Sequence, residues 1–296
     1  MAGPRREAVY FLSVIFRDDD LLFLLSVLMP TSQDTARMLR VLREDPEILD
    51  GMIADQRVFH HLLDDPMSVL AVSPALFFAI LLARVASDLR RELFTFEHSH
   101  GLTMALLDGP QVRELLDKRD VRDYLTDMLV SFVRVNSFTT SVRVRKGVWR
   151  KVRFSDFDID HLVRYGSGLH ESLRFPVYKR IADICLFSLG IFAPSGTPSG
   201  VPLPFLDARA MMSASRTRED YIAQGASFYA LASRHREAHS RQMTGTLSTL
   251  AQKITLAAKP LSVMSARYLQ PFREAPPGAT PAPPGPAPDG PDIVSS

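Results

Sequence analysis

Two histidines near the C-terminal end have the spacing that most resembles a metal-binding helix. His235 and His239 are four residues apart, so both imidazoles would lie on one face of a helix, with Glu237 between them. A zinc-protease helix has the order His-Glu-x-x-His, whereas here the glutamate comes one residue late and would point away from the water that it should activate. A zinc site would also need a third ligand from elsewhere in the chain. We therefore predict no metal and no cofactor, and His235 and His239 are the positions to locate in the structure.

A run of aspartates, Asp156, Asp158 and Asp160, begins like a calcium-binding EF-hand loop. The sixth position is His161, where glycine is needed, and the twelfth is Ser167, where glutamate is needed, so the pattern fails. Acidic residues are also favoured in the first turn of a helix, where carboxylates meet unpaired N–H groups and the positive end of the helix dipole. The aspartates therefore predict the start of a helix.

The strongest local charge lies in residues 141–154, where cations alternate with valines around a Lys146-Gly147 turn. Side chains alternate between the two faces of a strand, so this pattern predicts a β-hairpin with one apolar and one cationic face. Trp149, the only tryptophan, belongs to the cationic face, whereas Arg150 falls on the apolar face and departs from the pattern.

Two interpretations of this basic hairpin stay open. The cationic face could contact nucleic-acid phosphates or an acidic partner, with Trp149 stacking on a base. Alternatively, the charges protect an exposed strand from pairing with another chain. The candidate binding residues are Arg143, Arg145, Lys146, Trp149, Lys151 and Arg153.

Residues that could act in nucleophilic catalysis are few. The single cysteine, Cys185, lies in an apolar run with no flanking charge to lower its pKa, which predicts a buried structural residue. One cysteine excludes an internal disulfide and suits a reducing compartment. The sequence has no glycine-rich phosphate loop and no nucleophile elbow. These observations favour a protein that is not an enzyme.

The composition is that of an ordinary globular protein. Of 296 residues, 46% are hydrophobic and 23% are charged, and the net charge is only +2, so the chain as a whole would not be steered toward a polyanion. An apolar stretch, Met67–Ala83, has 17 uncharged residues but contains Pro74. A spanning helix needs about 20 apolar residues, so we predict a buried core helix, with membrane association as the alternative. We expect a cytoplasmic protein.

Helical signals cover most of the chain. Asp45-Pro46 and Asp65-Pro66 each place an N-cap acceptor before a proline at the first helical position. A core-facing stripe with steps of three and four residues comprises Val121, Tyr124, Leu125, Met128, Leu129 and Phe132.

Two further apolar seams lie near the C-terminal end and predict an antiparallel helical hairpin. One seam runs from Tyr221 to His239 and the other from Leu247 to Tyr268, with a short connection at 243–245. Pro260 is expected to kink or restart the second arm. The segments 178–192 and 221–232, rich in small and aromatic residues, resemble paired motifs of uncharacterised bacterial helical proteins over about 175–269. The resemblance implies a bacterial source and an all-helical C-terminal half, and it implies no activity.

The fold class that we predict is mainly α: a multi-helix bundle or stacked helices with one β-hairpin and a C-terminal antiparallel helical hairpin. The predicted regions are a helical region at 1–140, the basic hairpin at 141–154, a helical region at 155–192, a loop at 193–215, the helical hairpin at 216–272 and a disordered proline-rich tail at 273–296. The function favoured by these patterns is that of a non-enzymatic protein-interaction or regulatory protein with a protein partner. Nucleic-acid binding through the basic hairpin is the alternative.

Overall fold

The computed structural model describes residues 16–31, 34–91, 95–99, 102–106, 108–133, 137–145, 148–155, 158–191 and 216–269. Helices dominate these residues, which confirms the mainly helical class. The predicted loop at 193–215 and the proline-rich tail at 273–296 both lie wholly outside the described residues.

Six helices form the first part of the fold. Their bounds are α1 Asp18–Leu28, α2 Thr35–Glu44, α3 Pro46–Ile53, α4 Gln56–Asp64, α5 Pro66–Ala71 and α6 Pro74–Asp88. Both Asp-Pro helix starts are confirmed. Asp45 accepts hydrogen bonds from the backbone N–H groups of Glu47 (3.0 Å) and Ile48 (3.2 Å), and Asp65 accepts one from Met67 (2.9 Å).

The apolar stretch Met67–Ala83 does not form a single helix. Ser73 caps α6 by accepting a hydrogen bond from the backbone N–H of Leu76 (3.2 Å), and Pro74 follows at the first helical position. Helix α6 is largely buried, as predicted, whereas Met67 and Leu70 on α5 are 67% and 70% exposed. The prediction of one buried helix is therefore wrong for α5, because the capped break at Ser73 lets the two helices take different directions.

Asp20 ties the start of α1 to the start of α6. One carboxylate oxygen accepts a hydrogen bond from the backbone N–H of Ser73 (2.7 Å), and the other accepts one from the backbone N–H of Arg17 (2.9 Å). The side chain is 1% exposed, and its two bonds replace the water that a buried carboxylate loses.

Two pairs of antiparallel strands interrupt the helices. Strands β1 (Thr95–Ser99) and β2 (Leu102–Leu106) pair within the region that we expected to be helical, so strand residues were missed there. Strands β3 (Ser137–Arg145) and β4 (Val148–Ser155) span the segment of the basic hairpin. Their Cα register places Arg143 opposite Trp149 and Ser141 opposite Lys151, with an irregularity between Arg143 and Arg145.

The remaining helices surround a shared core. They are α7 Gly109–Asp117, α8 Arg119–Val133, α9 Ile159–Ser167, α10 Phe175–Ile191, α11 Arg218–Arg234, α12 Arg236–Ser240, α13 Thr244–Gln252 and α14 Ile254–Met264. A 3₁₀ turn, Glu171–Leu173, precedes α10, and a π-helical turn, Ser265–Leu269, follows α14. All six residues of the stripe on α8 are buried, as predicted. The aspartate run starts α9 as expected, since Asp158 caps it by accepting a hydrogen bond from the backbone N–H of His161 (3.0 Å).

The C-terminal helices are more broken than the two predicted seams. The first seam ends its helix at Arg234, and His235 becomes the N-cap of the short α12. The second seam is buried throughout but divides at Lys253, seven residues before Pro260, which lies inside α14. Helix α10 packs against both α11 and α14, so the two seams share a central helix.

Glycines allow the close approach of these helices. A Cβ atom on Gly225 of α11 would overlap Ile254 Cδ1 and lie 2.8 Å from Cys185 Cβ. A Cβ atom on Gly190 of α10 would overlap Leu261 and lie 3.0 Å from the carbonyl oxygen of Ala258. The small residues of the two segments that carry the resemblance thus serve helix packing.

Candidate functional site

A cavity of about 260 Å³ lies between α3, α6 and α8 and is partly open to solvent. Its apolar lining is formed by Phe16, Ile53, Ala79, Leu82, Ala83 and Ala86. Ala79, Ala83 and Ala86 are spaced by four and three residues, so they lie on one face of α6. These small side chains leave room that larger apolar residues would fill. We call this space the charged cavity, because its polar lining includes Asp50, Arg90, Arg122 and Asp123.

Helix starts and ion pairs position the charged groups. The Asp45 cap begins α3, which carries Asp50, and Asp50 joins α3 to α8. Its carboxylate lies 2.9 Å from Arg122 Nη2 and 3.4 Å from Arg119 Nη2. Arg122 also donates a hydrogen bond to the carbonyl oxygen of Leu116 (2.8 Å). Two groups of the charged cavity, Asp50 and Arg122, are therefore bound to each other.

Asp123 has a weaker partner. Its nearest cation is Arg119, whose Nε lies 3.8 Å away, which is too long for a hydrogen bond. Burial of the Asp123 side chain raises the pKa of the carboxyl to about 7, and the nearby Asp50 and Asp120 raise it further against the opposing effects of Arg119 and Arg122. Asp123 can therefore gain or lose a proton near neutral pH beside an apolar cavity.

A second polar group, the Asp183 cluster, is closed inside the core. We use this name for Asp183 of α10, Lys179 of α10, Tyr124 of α8 and Tyr229 of α11. Tyr124 and Tyr229 donate hydrogen bonds to the same carboxylate oxygen, at 2.6 Å and 2.9 Å, and Lys179 donates to the other oxygen at 2.9 Å. Burial raises the pKa of both phenols well above the usual range. Asp183 is 2% exposed, so this cluster joins three helices and has no access to a substrate.

Cys185 is buried, as predicted. Burial raises the pKa of its thiol to about 12, so the thiolate needed for nucleophilic attack is not formed near neutral pH. Its Cβ lies against the position where Gly225 passes closest to α10. The cysteine is part of the packing between α10 and α11.

The helix break separates the histidines that we considered as metal ligands. His235 is the N-cap of α12, where its Nδ1 accepts a hydrogen bond from the backbone N–H of Glu237 (3.1 Å). Its Nε2 lies 2.9 Å from the carbonyl oxygen of Glu171, and its ring lies 5.6 Å from that of Phe175. His239 is exposed on α12. The expectation that both imidazoles share one face of a continuous helix is wrong, because His235 ends one helix and starts another.

Strands β3 and β4 carry the binding residues predicted on the basic hairpin, with the exception of Lys146. Arg143, Arg145, Trp149, Lys151 and Arg153 lie on β3 and β4, and Lys146 lies outside the described residues. Arg153 pairs through its Cα with Thr139. Their binding role stays a prediction.

Within the described part of the chain, no group of three or more His, Cys, Asp or Glu residues is arranged to hold a metal ion. None of the described helices is both long and apolar enough to cross a membrane.

The charged cavity could not be predicted from the sequence, because its residues are far apart in the chain and belong to different helices. The one local signal was the row of alanines on α6, inside a stretch otherwise rich in leucine and phenylalanine. Asp50 and Asp123 have no distinguishing motif. No protein-family model, no curated protein and no solved structure matches this chain.

Proposed function

We propose that the protein is a non-enzymatic protein-interaction protein that binds its partner through α5. The observation that carries this proposal is the exposure of Met67 (67%) and Leu70 (70%) on a helix that is otherwise anchored. Large apolar side chains exposed next to each other are typical of interaction sites. We call Met67 and Leu70 the α5 face; they are three residues apart and share one side of the helix.

Helix α5 holds these side chains in a fixed position. Ser68 and Val69 lie on its inner side, 4% and 8% exposed, and Asp65 accepts hydrogen bonds from Met67 N (2.9 Å) and Ser68 Oγ (3.1 Å). A short helix held at its cap and along its inner side loses little conformational freedom when a partner binds. The α5 face is therefore suited to recognition.

The charges near α5 indicate the chemistry of the partner. Asp64 and Asp65 come just before the first residue of α5, and the exposed Asp19 lies on α1, which packs against α5. An apolar patch next to acidic residues favours a partner segment with an apolar centre and basic flanks. The proposed partner is a protein with such a segment.

The polar groups of the core support a non-enzymatic role. In the Asp183 cluster, both phenols and the ammonium group are used to neutralise or bind one carboxylate. At α6, Asp88 accepts a hydrogen bond from Tyr268 and pairs with Arg84 (3.0 Å). These groups connect helices, which is a structural use of side chains that could otherwise act as acids or bases.

Binding of defined peptides tests the proposal. A fluorescent amphipathic helical peptide with a leucine face and lysine flanks is titrated with the whole protein, and a matched peptide with glutamate flanks serves as the control. We expect the lysine peptide to bind and the double substitution Met67→Ser with Leu70→Ser to weaken binding at least about tenfold, because central apolar contacts dominate such interfaces. Leu173→Ser removes another exposed apolar side chain (59% exposed) and should leave binding unchanged.

Two results would contradict this proposal. One is that the lysine and glutamate peptides bind with the same affinity, and that this affinity is the same for the wild type and the α5 variant. The other is partition of the protein onto neutral phosphatidylcholine vesicles that depends on Met67 and Leu70, which would assign the α5 face to a lipid surface.

Nucleic-acid binding by the basic hairpin is the second candidate. It is favoured by the Cα register, which pairs Arg143 with Trp149 and Ser141 with Lys151, as the alternation of charge along the sequence requires. Charge reversal at the arginines and Lys151 of residues 143–153 should abolish a salt-sensitive gel shift of single-stranded DNA or RNA. If the wild type gives no shift at low salt, this candidate is excluded.

A further inference from the structure

The charged cavity combines an apolar interior with a shortage of acceptor groups at its rim. Arg90 lines the cavity, is exposed, and has no ion-pair partner among the described residues. Arg119, whose Nε lies 3.8 Å from the Asp123 carboxylate, is not part of the cavity lining, and this buried Nε finds no hydrogen-bond acceptor in the described structure. The guanidinium group of Arg90 can therefore bind an additional oxygen acceptor in the cavity.

The local charge becomes positive when Asp123 takes up a proton. The charged side chains that line the cavity are Arg90, Arg122, Asp50 and Asp123, so their charges balance when both aspartates are ionised. Protonation of Asp123 leaves one positive charge in excess. A low-dielectric wall of alanine, leucine and phenylalanine side chains strengthens the attraction between this excess charge and an anion.

We infer that the charged cavity binds a small monocarboxylate with an apolar body, the carboxylate at Arg90 and the apolar body against the alanine face of α6. This site is independent of the α5 face and of the basic hairpin, and it adds a small-molecule ligand to a protein-interaction protein. Burial of the apolar body among Ala79, Ala83 and Leu82 supplies the affinity, and Arg90 supplies the selection for an anion.

The size of the charged cavity limits the ligand. An engineered cavity of about 150 Å³ holds benzene, and the charged cavity has about 260 Å³. It therefore fits one aromatic ring with a short acidic chain, or an aliphatic acid of similar volume. Because the cavity is partly open and Arg90 is itself exposed to solvent, a carboxylate bound at Arg90 can remain partly hydrated while the ring is buried.

Asp123 makes the binding depend on pH. The groups that face it are Asp50 on α3 and Arg119, Asp120 and Arg122 on α8. In its protonated form Asp123 can donate a hydrogen bond to the ligand carboxylate, and in its ionised form it repels the carboxylate. Since the pKa of Asp123 is about 7, the competent form is abundant at pH 6 and scarce at pH 8.

Calorimetric titration with 3-phenylpropanoate, its amide and the corresponding amine tests the inference. We expect the carboxylate to bind about tenfold more tightly at pH 6 than at pH 8, because the apparent affinity scales with the fraction of protein in the competent protonation state. The amide should bind more weakly than the carboxylate and without this pH dependence. Tighter binding of the amine, rising with pH, would overturn the inference.

Matched variants identify the site. Arg90→Gln should weaken carboxylate binding at least about fivefold, whereas Arg91→Gln, which changes an exposed neighbour outside the cavity lining, should not. Asp123→Asn should lose the pH dependence, because its amide group does not titrate and can donate a hydrogen bond to the ligand at either pH. Ala83→Leu fills the cavity without changing its charge and should abolish binding. Binding that persists in folded Ala83→Leu protein would overturn the inference.

Discussion

Asp123 lies on helix α8 and Asp183 accepts a hydrogen bond from Tyr124 of the same helix, yet these two largely buried carboxylates have opposite surroundings. Asp183 accepts hydrogen bonds from two phenols supplied by neighbouring helices and from the ammonium group of Lys179, one turn away on its own helix. Asp123 lies beside open space and has only a distant guanidinium group at 3.8 Å. The same side chain is therefore a connection between helices in one place and a titrating group beside a cavity in the other. The difference lies in whether the packing brings donors to the carboxylate.

The largest loss of stability should come from removing the buried carboxylate of Asp183. Asp183→Ala leaves the ammonium group of Lys179 and the phenols of Tyr124 and Tyr229 without their acceptor in the core. We expect a loss of about 3–5 kcal/mol in the free energy of unfolding, because the substitution breaks a buried ion pair and leaves two buried phenols without their acceptor. Urea denaturation followed by circular dichroism measures it. An Asp183→Ala protein as stable as the wild type would show that the cluster is dispensable.

The carboxyl group of Asp123 should make the stability of the protein depend on pH. Its pKa in the folded protein is about 7, above the value of 3.8 for an unperturbed aspartate, so the folded state holds this proton over a range in which the unfolded state has lost it. The resulting stabilisation is complete below pH 4 and is lost as the pH rises through 7. A shift of this size corresponds to at most about 4 kcal/mol.

The control for this prediction is Asp123→Asn, which cannot ionise. The difference in stability between the wild type and Asp123→Asn, measured by urea denaturation from pH 4.5 to 8, should change steadily in favour of the variant as the pH rises. A difference that is constant over this range would contradict a titrating Asp123.

Removing either phenol of the Asp183 cluster should cost less stability than removing Asp183 itself. Tyr229→Phe and Tyr124→Phe each remove one donor but leave the other phenol and Lys179 on the carboxylate. Each should cost about 1–3 kcal/mol of unfolding free energy, as expected for a lost hydrogen bond to a buried charged group. The double variant should lose more than the sum of the two, because the last neutral donor then disappears. Strict additivity would argue against a cooperative cluster.

The smallest effect is expected at the wall of the charged cavity. Thr126 lines it and donates a hydrogen bond from its hydroxyl to the carbonyl oxygen of Arg122 (3.0 Å), within the same helix. Thr126→Val keeps the shape of the side chain and should change the free energy of unfolding by less than about 1 kcal/mol, since that carbonyl belongs to the helical hydrogen-bond ladder. A loss comparable to that of Tyr229→Phe would mean that the hydroxyl has a further structural role.

Local features of the fold could be predicted from the sequence. The caps at Asp45 and Asp65 and the buried stripe on α8 depend on residues within one or two helical turns of each other. The break at His235 could not, because it combines a local cap at Glu237 with a contact to Glu171, 64 residues away. The helical spacing alone predicts, wrongly, that the helix of the first seam continues past His235.

The candidate site could be predicted even less. Asp50, Arg90 and Asp123 line one cavity only because α3, α6 with the turn that follows it, and α8 pack together, and each of these residues alone is an ordinary surface charge in the sequence. The role of Asp183 could not be predicted either. It lies in an apolar run of the sequence, and its partners on α8 and α11 are far from it along the chain. A row of small residues on an apolar helix is the signal that could have indicated space beside α6.

The two hydrogen bonds of the Asp20 carboxylate affect binding at the α5 face, although Asp20 is not part of that face. Through Ser73 this buried group fixes the C-terminal end of the segment that carries α5, while Asp65 fixes its beginning. The segment is thus held at both ends, so the side chains of the α5 face are already arranged when a partner binds. Replacement of Asp20 would change none of the residues that touch the partner, yet it should slow association, since the exposed side chains would have to find their arrangement during each encounter.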